Sequence, residues 1–476
     1  MLFNSLSFAI FLPVVFILYW LATKKNPRLQ NILLLVSSYF FYACWDWRFM
    51  FLLIFSTLLD YYTGIKIHEA ETRRKKSFWL WLSIGVNLGF LGVFKYYNFF
   101  AESFSEGMAL LGFKANPGSL QVILPVGISF YTFHGLSYVI DLYKNRIKPE
   151  RNFIDYSVFV SFFPLLVAGP IERATHLLPQ ILTKREFNYS KATDGLRQIL
   201  WGLFKKIVIA DNCAEFANKI FNNSADYSGS TLVVGALLFT FQIYGDFSGY
   251  SDIALGTARL FGIDLLRNFA FPYFSRDIAE FWRRWHISLS SWFKDYLYIP
   301  LGGSKGGTWM KVRNTFIIFL VSGFWHGANW TFIAWGFLNA LFIMPSIIFN
   351  THRNNLEIVA KGKYLPTLRE FIAIAITFTL TTFAWIFFRA KNIGQATSYI
   401  SGIFSDSLFS IPEILPGNTI FLIVIFVFIE WLGREGQYAI SDFFSKRIFR
   451  WAFYLVLCFI IFLFHGKQQE FIYFQF

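Results

Sequence analysis

Two histidines lie in unusual surroundings for ionisable side chains. His326 lies in GFWHGANW, within a stretch from 314 to 350 that contains no Asp, Glu, Lys or Arg. His286 lies in RRWHISLS, where charged residues alternate with aromatic ones. An imidazole in apolar surroundings stays neutral at pH 7 and can accept a proton, as a general base must. The alternative for His326 is a structural histidine that packs between helices and bonds to a neighbouring Asn or Ser.

A helix that begins near Arg313 would carry His326 far into a membrane. The two residues are 13 positions apart, which at about 1.5 Å per residue is roughly 20 Å along the axis. The hydrocarbon core of a bilayer is about 30 Å thick. Ionisable residues are costly at such depth and mark functional sites. Gly323 and Gly327 flank the histidine and would let a ligand or a neighbouring helix approach closely.

The composition is that of a membrane protein. Of the 476 residues, 55% are hydrophobic and only 15% are charged, whereas soluble domains have about 25% charged residues. Much of the net charge of +14 comes from short basic clusters between apolar runs, a pattern that sets membrane orientation. We therefore predict an all-α, polytopic transmembrane bundle and no nucleic-acid partner. No metal-binding motif is present, so no metal is expected.

Apolar runs recur along the whole chain and predict about 11–13 membrane segments, including re-entrant or interfacial elements. Basic clusters at Lys24–Arg28, Lys66–Lys76 and Lys144–Arg151 follow the first, third and fifth runs. All three then fall on one side, so that side should be cytoplasmic and the N-terminus should be outside. The candidate spans are 5–22, 30–45, 49–64, 77–94, 119–141, 152–168, 195–212, 230–245, 314–332, 333–349, 368–388, 418–433 and 451–465.

Two stretches interrupt this pattern. Residues 162–180 contain three prolines and Gly169, which suits a re-entrant element buried in protein. Residues 265–311 mix charges with aromatics and should lie at the interface or dip into a cavity; the alternative is a surface amphipathic helix. We expect one integral-membrane domain over 1–476, with N-terminal helices in 1–168, a core carrying the histidine motifs in 169–350 and C-terminal helices in 351–476.

A third polar motif is YGDFSGYSDIALG, from Tyr244 to Gly256. It places Asp246 and Asp252 beside a long apolar run, where carboxylates need partners, either Arg or water. The alternative is a span end with Asp246 at the interface.

These motifs resemble a known family. WRRWHISLSSWFKDYLYIPLGG, followed about forty positions later by GFWHGANW, resembles the membrane-bound O-acyltransferase superfamily. YGDFSGYSDIALG, the opening MLFNSLSF and the closing FIYFQF are similar to its bacterial branch, which includes the membrane proteins of alginate O-acetylation and of teichoic-acid D-alanylation. The alginate-type likeness is the closer one.

The resemblance implies that His326 is the catalytic histidine and His286 the second, more variable one. It also implies a cytoplasmic thioester donor, acetyl-CoA or another acyl thioester, with no bound cofactor. The acceptor would be an exported polysaccharide, alginate-like or another surface glycan, reached through a periplasmic acetyltransferase partner. The cell location would be the bacterial inner membrane.

The chemistry of the residues agrees with this implication. A neutral His326 can take the proton from an attacking hydroxyl, and the developing oxyanion then needs hydrogen-bond donors. The remaining candidates are Asn329, Ser322 and His286 for the oxyanion, Arg283, Arg284 and Lys294 for donor phosphates, Asp295 and Asp246 for orienting a His or Arg, and Tyr244 for substrate or donor binding.

Alternatives remain at this point. The basic residues could instead bind anionic membrane lipids. The whole chain could be a proton-coupled transporter or exporter of a cell-envelope component, or a structural membrane subunit of a secretion assembly.

Overall fold

The computed structural model describes residues 1–23, 26–115, 117–120, 123–167, 169–465 and 469–472. Lys24 and Lys25 of the first basic cluster, one residue of the proline-rich break and the last four residues of FIYFQF lie outside the described residues. Within those ranges all regular structure is helical, which confirms the all-α prediction. The chain forms two compact units, Met1–Ala192 with Ala258–Leu265, and Thr193–Thr257 with Leu266–Phe476. The predicted subdivision at 168 and 350 stays a prediction.

In the first unit, polar caps begin the early helices. The side chains of Asn26, Asp46 and Thr72 accept backbone N–H bonds at the starts of the second, third and fourth helices, because these groups lack partners within the helix. The helices of this unit are α1 (Leu6–Ile17), α2 (Pro27–Ala43), α3 (Trp47–Glu69), α4 (Arg73–Leu91), α5 (Tyr97–Leu110), α6 (Ile128–Tyr143), α7 (Phe153–Ser161), α8 (Phe163–Leu166), α9 (Ala174–Leu182) and the start of α10 (Tyr189–Leu203).

The predicted span 152–168 is two short helices, α7 and α8. Pro164 stands in the first turn of α8, where its missing N–H costs no helical bond, but it could not continue α7 without disrupting it. The non-helical residues 169–173 that follow are buried. This agrees with the prediction of irregular backbone enclosed by protein.

The second unit contains the rest of α10, most of α12 and all later helices. Gly202 of α10 and Gly249 of α12 lie so close that a Cβ on Gly202 would meet the Gly249 oxygen at 2.6 Å. This backbone contact brings the π-helical turn Phe204–Ala210 against α12. The helices are α11 (Asp211–Asn222), α12 (Gly229–Leu260), α13 (Ile278–Arg284), α14 (Ile287–Phe293), α15 (Gly307–His326), α16 (Trp330–Ile348), α17 (Leu368–Arg389), α18 (Ile393–Ile403), α19 (Gly417–Leu432) and α20 (Arg447–Leu463).

Five helices of the described chain are long and apolar enough to cross a membrane: Trp47–Glu69, Arg73–Leu110, Gly229–Leu260, Trp330–Ile348 and Leu368–Arg389. Two shorter apolar helices are Leu6–Ala22 and Gly417–Leu432. A multi-pass membrane protein follows from these helices. Each predicted span overlaps a helix, while the number of crossings, 11–13, stays a prediction.

Residues 265–311 do not form one surface helix. They fold as a 3-10 turn Pro272–Phe274, the short helices α13 and α14, and a π-helical turn Lys294–Tyr298. The amphipathic-helix alternative is therefore wrong. The reason is tertiary, because residues 268–270 pair through their backbone with 284–287 and hold this segment in a folded-back path.

Candidate active site

His326 ends α15, and α16 begins only four residues later. A Cβ on Gly323 would meet the Phe332 oxygen at 2.2 Å, so glycine allows the two helices to pack backbone against backbone. The predicted spans placed the join at residue 332, which is too late. Asn329 caps α16 by accepting the Thr331 N–H at 3.0 Å, and such caps mark helix starts. His326 therefore stands at a helix end beside an irregular turn.

Aromatic rings enclose the His326 imidazole. Its ring centroid lies 4.9 Å from Trp325, 5.1 Å from Trp335 and 5.4 Å from Phe388, all in edge-to-face arrangements. The residue is only 4% exposed. Aromatic contacts on three sides fix the orientation of the imidazole.

His286 is held in a strained backbone conformation. Its φ of 42° lies in the left-handed region, which costs a non-glycine residue free energy. Two backbone bonds across the turn hold it, Ala270 N–H to the Arg284 oxygen and Ile287 N–H to the Asn268 oxygen, both 2.9 Å. A strained residue held this firmly points to a functional position.

The imidazole of His286 has a defined tautomer. Its Nδ1 lies 3.0 Å from Oδ1 of Asn268, and the same Oδ1 accepts the Ser288 hydroxyl at 2.9 Å. Asn268 Nδ2 donates to Ser251 at 3.1 Å, so the amide orientation is fixed. Nδ1 of His286 must therefore carry the hydrogen, and Nε2 keeps its lone pair. Nε2 is buried and has no hydrogen-bond partner among the described residues.

Burial lowers the pKa of the His286 imidazole well below its usual value. His286 lies outside the five long apolar helices, yet it is only 1% exposed. The sequence places it in a segment of basic and aromatic residues and does not predict this burial. The backbone bonds that fold 265–287 back on itself bury the residue, and they make it a neutral proton acceptor at pH 7.

Trp325 lies between the two histidines. Its ring centroid is 6.2 Å from that of His286 and 4.9 Å from that of His326. The structure thus brings together the two residues that the sequence singled out, although they are 40 positions apart.

A cavity of about 400 Å³ opens among α13, α14, α15 and α16. Ser322, one helical turn before His326, and Ile287, next to His286, lie in its wall. Apolar side chains line most of it, and Arg283, Lys294 and Lys311 add positive charge. Its lining also includes Phe293, Ile318, Phe319, Ile343, Ile347 and His352.

The two predicted phosphate-binding arginines have structural partners. Arg283 donates to the backbone oxygens of His352 and Asn355 at 2.7 and 2.8 Å. Arg284 pairs with buried Glu280 at 2.8 Å. Arg283 thus stabilises the connection between α16 and α17, and Arg284 stabilises the end of α13. Lys294 and Lys311 form no ion pair with a carboxylate within the described chain, which makes them the available cations of the cavity.

Two other predicted residues lie near this cavity. Both polar groups of Asn329 are in use, because its Nδ2 also donates to the Lys391 oxygen at 2.8 Å. The structure therefore gives Asn329 a capping role, and the predicted oxyanion contact stays a prediction. Asp295 is half-buried in the π-helical turn that begins with Lys294.

Asp246 and Tyr244 belong to a separate buried polar cluster. Asp246 is 2% exposed, so the alternative of an interfacial position is wrong. It pairs with Lys206 at 2.7 Å, in place of the predicted histidine or arginine. Tyr244 donates to Glu430 at 2.5 Å. Lys206 lies in the π-helical turn Phe204–Ala210, within a stretch that the sequence predicted only as a membrane span.

Sequence reasoning missed Asn268, Lys206 and Glu430. The latter two carried a signal, because each is a charge inside an apolar run and such charges need partners. Asn268 carried none, since its role depends on the fold-back of 265–287.

With this geometry described, comparison with known proteins is informative. The model of the membrane-bound O-acyltransferase family matches residues 147–388, which include both histidines. The chain belongs to this family. It is 39% identical over 432 residues to a peptidoglycan O-acetyltransferase of Helicobacter pylori, covering 85% of this chain and 80% of that protein.

The names of other relatives refer to other polymers. A "probable alginate O-acetylase" of Pseudomonas aeruginosa is 40% identical over 423 residues, 88% of this chain and 78% of the relative. A teichoic acid D-alanyltransferase of Bacillus subtilis is 29% identical over 282 residues, 56% of this chain and 69% of the relative. This membrane-bound O-acyltransferase is therefore an enzyme, and the transporter and structural-subunit hypotheses are set aside.

Proposed function

We propose that this enzyme takes an acetyl group from a cytoplasmic thioester and passes it across the bacterial inner membrane for O-acetylation of an exported glycan. The donor is acetyl-CoA or a carrier-bound thioester, and no resident cofactor or metal takes part. The main support is the cavity of about 400 Å³, which carries cations in its lining and reaches the neighbours of both histidines.

The cavity suits the two parts of a phosphopantetheine thioester. Its apolar walls would take the uncharged arm, while Lys294 and Lys311 would meet the phosphate. An ammonium binds phosphate as a compact point charge. Neither lysine is committed to a carboxylate within the described chain, and this favours them over Arg283 and Arg284 for that task.

The two imidazoles supply the proton transfers. His326 takes the proton of the acceptor hydroxyl as its oxygen bonds to the thioester carbonyl carbon. The carbon–sulfur bond then breaks, and the proton returns to the leaving thiolate. Because the attacking hydroxyl gives its single hydrogen to His326, the lone pair on Nε2 of His286 can accept a hydrogen bond from a second hydroxyl of the glycan acceptor. Ser322 is the candidate donor to the oxyanion.

The basic clusters of the first unit support an orientation for its own helices. Two hydrogen bonds, Ser77 to Tyr143 at 3.2 Å and Tyr61 to the Arg151 oxygen at 2.5 Å, place the second and third basic clusters at one end of its helices. Basic clusters stay cytoplasmic. The N-terminus would then be periplasmic, as the sequence predicts.

The acceptor is proposed as a glycan hydroxyl. The relatives named for peptidoglycan and for alginate are almost equally similar to this chain, and both polymers offer sugar hydroxyls. The transfer to an exported glycan would be completed by a periplasmic acetyltransferase partner, with membrane lipids surrounding the enzyme.

The test uses purified enzyme in proteoliposomes. Acetyl-CoA is supplied to the side of the basic clusters, with a glycan oligomer and the periplasmic fraction opposite, and CoA release is followed. Wild type and His68→Ala, which removes an exposed histidine, should release CoA, whereas His326→Ala should not. Equal release by His326→Ala would remove His326 from the chemistry. No release by wild type, from acetyl-CoA or from an acetylated carrier protein, would refute the donor.

A further inference from the structure

The last two residues of the segment Gln469–Ile472 are buried inside the second unit, whereas Gln469 is half-buried and Glu470 is exposed. Phe471 and Ile472 are 0% and 1% exposed. Lys206 Nζ donates to the Gln469 oxygen at 3.2 Å, and the Ile472 N–H donates to Asp246 at 2.7 Å. Phe471 and Ile472, the first two residues of FIYFQF, thus lie in the core, and they have no part in the chemistry proposed above.

A buried ionic cluster anchors this segment. Lys206 Nζ lies 2.7 Å from both Asp246 and Asp211, and the side chains of all three are at most 4% exposed. Breaking a buried pair by removing one partner is strongly destabilising, because a charge is then left unpaired. The cluster therefore holds the segment in one place relative to α12, the helix that carries Asp246.

The anchored segment contacts His286 indirectly, because Phe471 packs on Phe247 and Phe247 packs on the imidazole. Phe471 packs 4.4 Å from Tyr250 and 6.2 Å from Phe247. Phe247 in turn lies edge-to-face on the His286 imidazole at 4.7 Å. Asn268 fixes the imidazole at Nδ1, and Phe247 supports its ring face.

We propose that Gln469–Ile472 positions His286, with Phe471 bracing Phe247 and the Lys206–Asp246 pair holding Phe471 in register. This inference rests on the proposed transfer chemistry. Phe471 touches no reacting atom and is a positioning residue. Without its ring, Phe247 can move into the space it leaves, the imidazole can tilt, and water can reach it.

The experiment compares Phe471→Ala with Phe471→Leu in the thioester assay. Phe471→Ala should lower kcat on the order of 100-fold, the cost of a misplacement of about 1 Å, with little change in the donor KM. The acid limb of the pH profile should move to higher pH, because water near His286 favours imidazolium. Phe471→Leu restores most of the apolar volume and should recover most of kcat.

Phe221→Ala is the matched control. Phe221 is 1% exposed and stacks on Tyr399 with the same 4.4 Å centroid distance that joins Phe471 to Tyr250. It should lose similar stability while keeping kcat and the pH profile.

The outcomes separate the two proposals. If Phe471→Ala keeps the wild-type kcat and pH profile, or if Phe221→Ala lowers kcat equally, the positioning role is overturned. If wild type itself releases no CoA, the proposed function fails instead. Should Phe471→Ala not reach the membrane, Ile472→Pro removes the N–H that donates to Asp246 and also fixes φ at this position, whereas Ile472→Val keeps the N–H. Equal kcat for these two variants also overturns the proposal.

Discussion

Replacing Asn268 by leucine tests whether the tautomer of His286 matters. Leucine has nearly the same shape but cannot accept the Nδ1 hydrogen. The substitution removes three side-chain bonds of 3.1 Å or less, to His286, Ser288 and Ser251. The imidazole can then exchange its hydrogen between Nδ1 and Nε2, and the second tautomer has no lone pair on the nitrogen assigned to the hydroxyl.

The size of the effect follows from these bonds. At about 1 kcal/mol net for each hydrogen bond, the free energy of unfolding should fall by roughly 3 kcal/mol. The loss of the orienting bond alone, about 1–3 kcal/mol, should lower kcat by about 5- to 150-fold if it acts in the transition state. The donor KM should hardly change, because Asn268 does not line the cavity.

The assay measures CoA release together with thermal unfolding in detergent. Asn87→Leu is the matched control, since Asn87 is 1% exposed and makes three side-chain bonds of 2.7–3.0 Å in the first unit. It should cost similar stability without loss of kcat. Asn268→Asp keeps the acceptor and adds a negative charge, so it should retain activity, raise the pKa of His286 and move the acid limb upward.

The reasoning is refuted if Asn268→Leu keeps its wild-type kcat while losing the expected stability. It is refuted equally if Asn268→Asp behaves like Asn268→Leu, because the acceptor would then have no role. A parallel loss of kcat in Asn87→Leu would show that the assay reports stability alone.

Three further predictions concern other parts of the chain. Gly323→Ala forces a Cβ to within 2.2 Å of the α16 backbone and should cost about 1–3 kcal/mol or more by overpacking, whereas Gly85→Ala, which has open space, should unfold at the wild-type temperature or above. The double variant Lys294→Gln and Lys311→Gln should raise the donor KM at least about tenfold with kcat retained, since each lost charge–phosphate bond is worth about 1.5–3 kcal/mol; a normal KM would mean that the phosphate binds elsewhere. The neighbouring glutamate raises the pKa of His176 above 6.5, so its stabilisation is present below that pH and is lost as pH rises through the folded value; His176→Gln should remove this slope from melting temperatures measured between pH 5.5 and 8.

The sequence predicted more about the helices than about their ends. Long apolar runs and polar caps are local signals, so helices were found at every predicted span. The break after His326 was misplaced by six residues because a continuous apolar pattern hides a short turn. The proline-rich stretch was correctly assigned as an interruption, since Pro164 acts through its own ring and missing N–H.

Ion-pair and hydrogen-bond partners that are distant in the chain could not be predicted from the local sequence. Asp246 needed a partner, which the sequence predicted to be Arg or water; it could not show that Lys206 pairs with it from a π-helical turn 40 residues earlier. From the sequence, Arg283 and Arg284 could have bound phosphate. In the structure they already bind backbone oxygens and Glu280. A residue's type fixes which bonds it can make, while only the packed chain decides which bonds are already made.

By itself the sequence determined the membrane class, the helical architecture, the family and the two histidines, because these depend on composition, periodicity and short motifs. Only the tertiary structure decided that His286 is buried and bears its lone pair on Nε2, that Trp325 joins it to His326, and that Gln469–Ile472 reaches the same site. Each of these depends on contacts between residues far apart in the chain, whose distances no local pattern encodes.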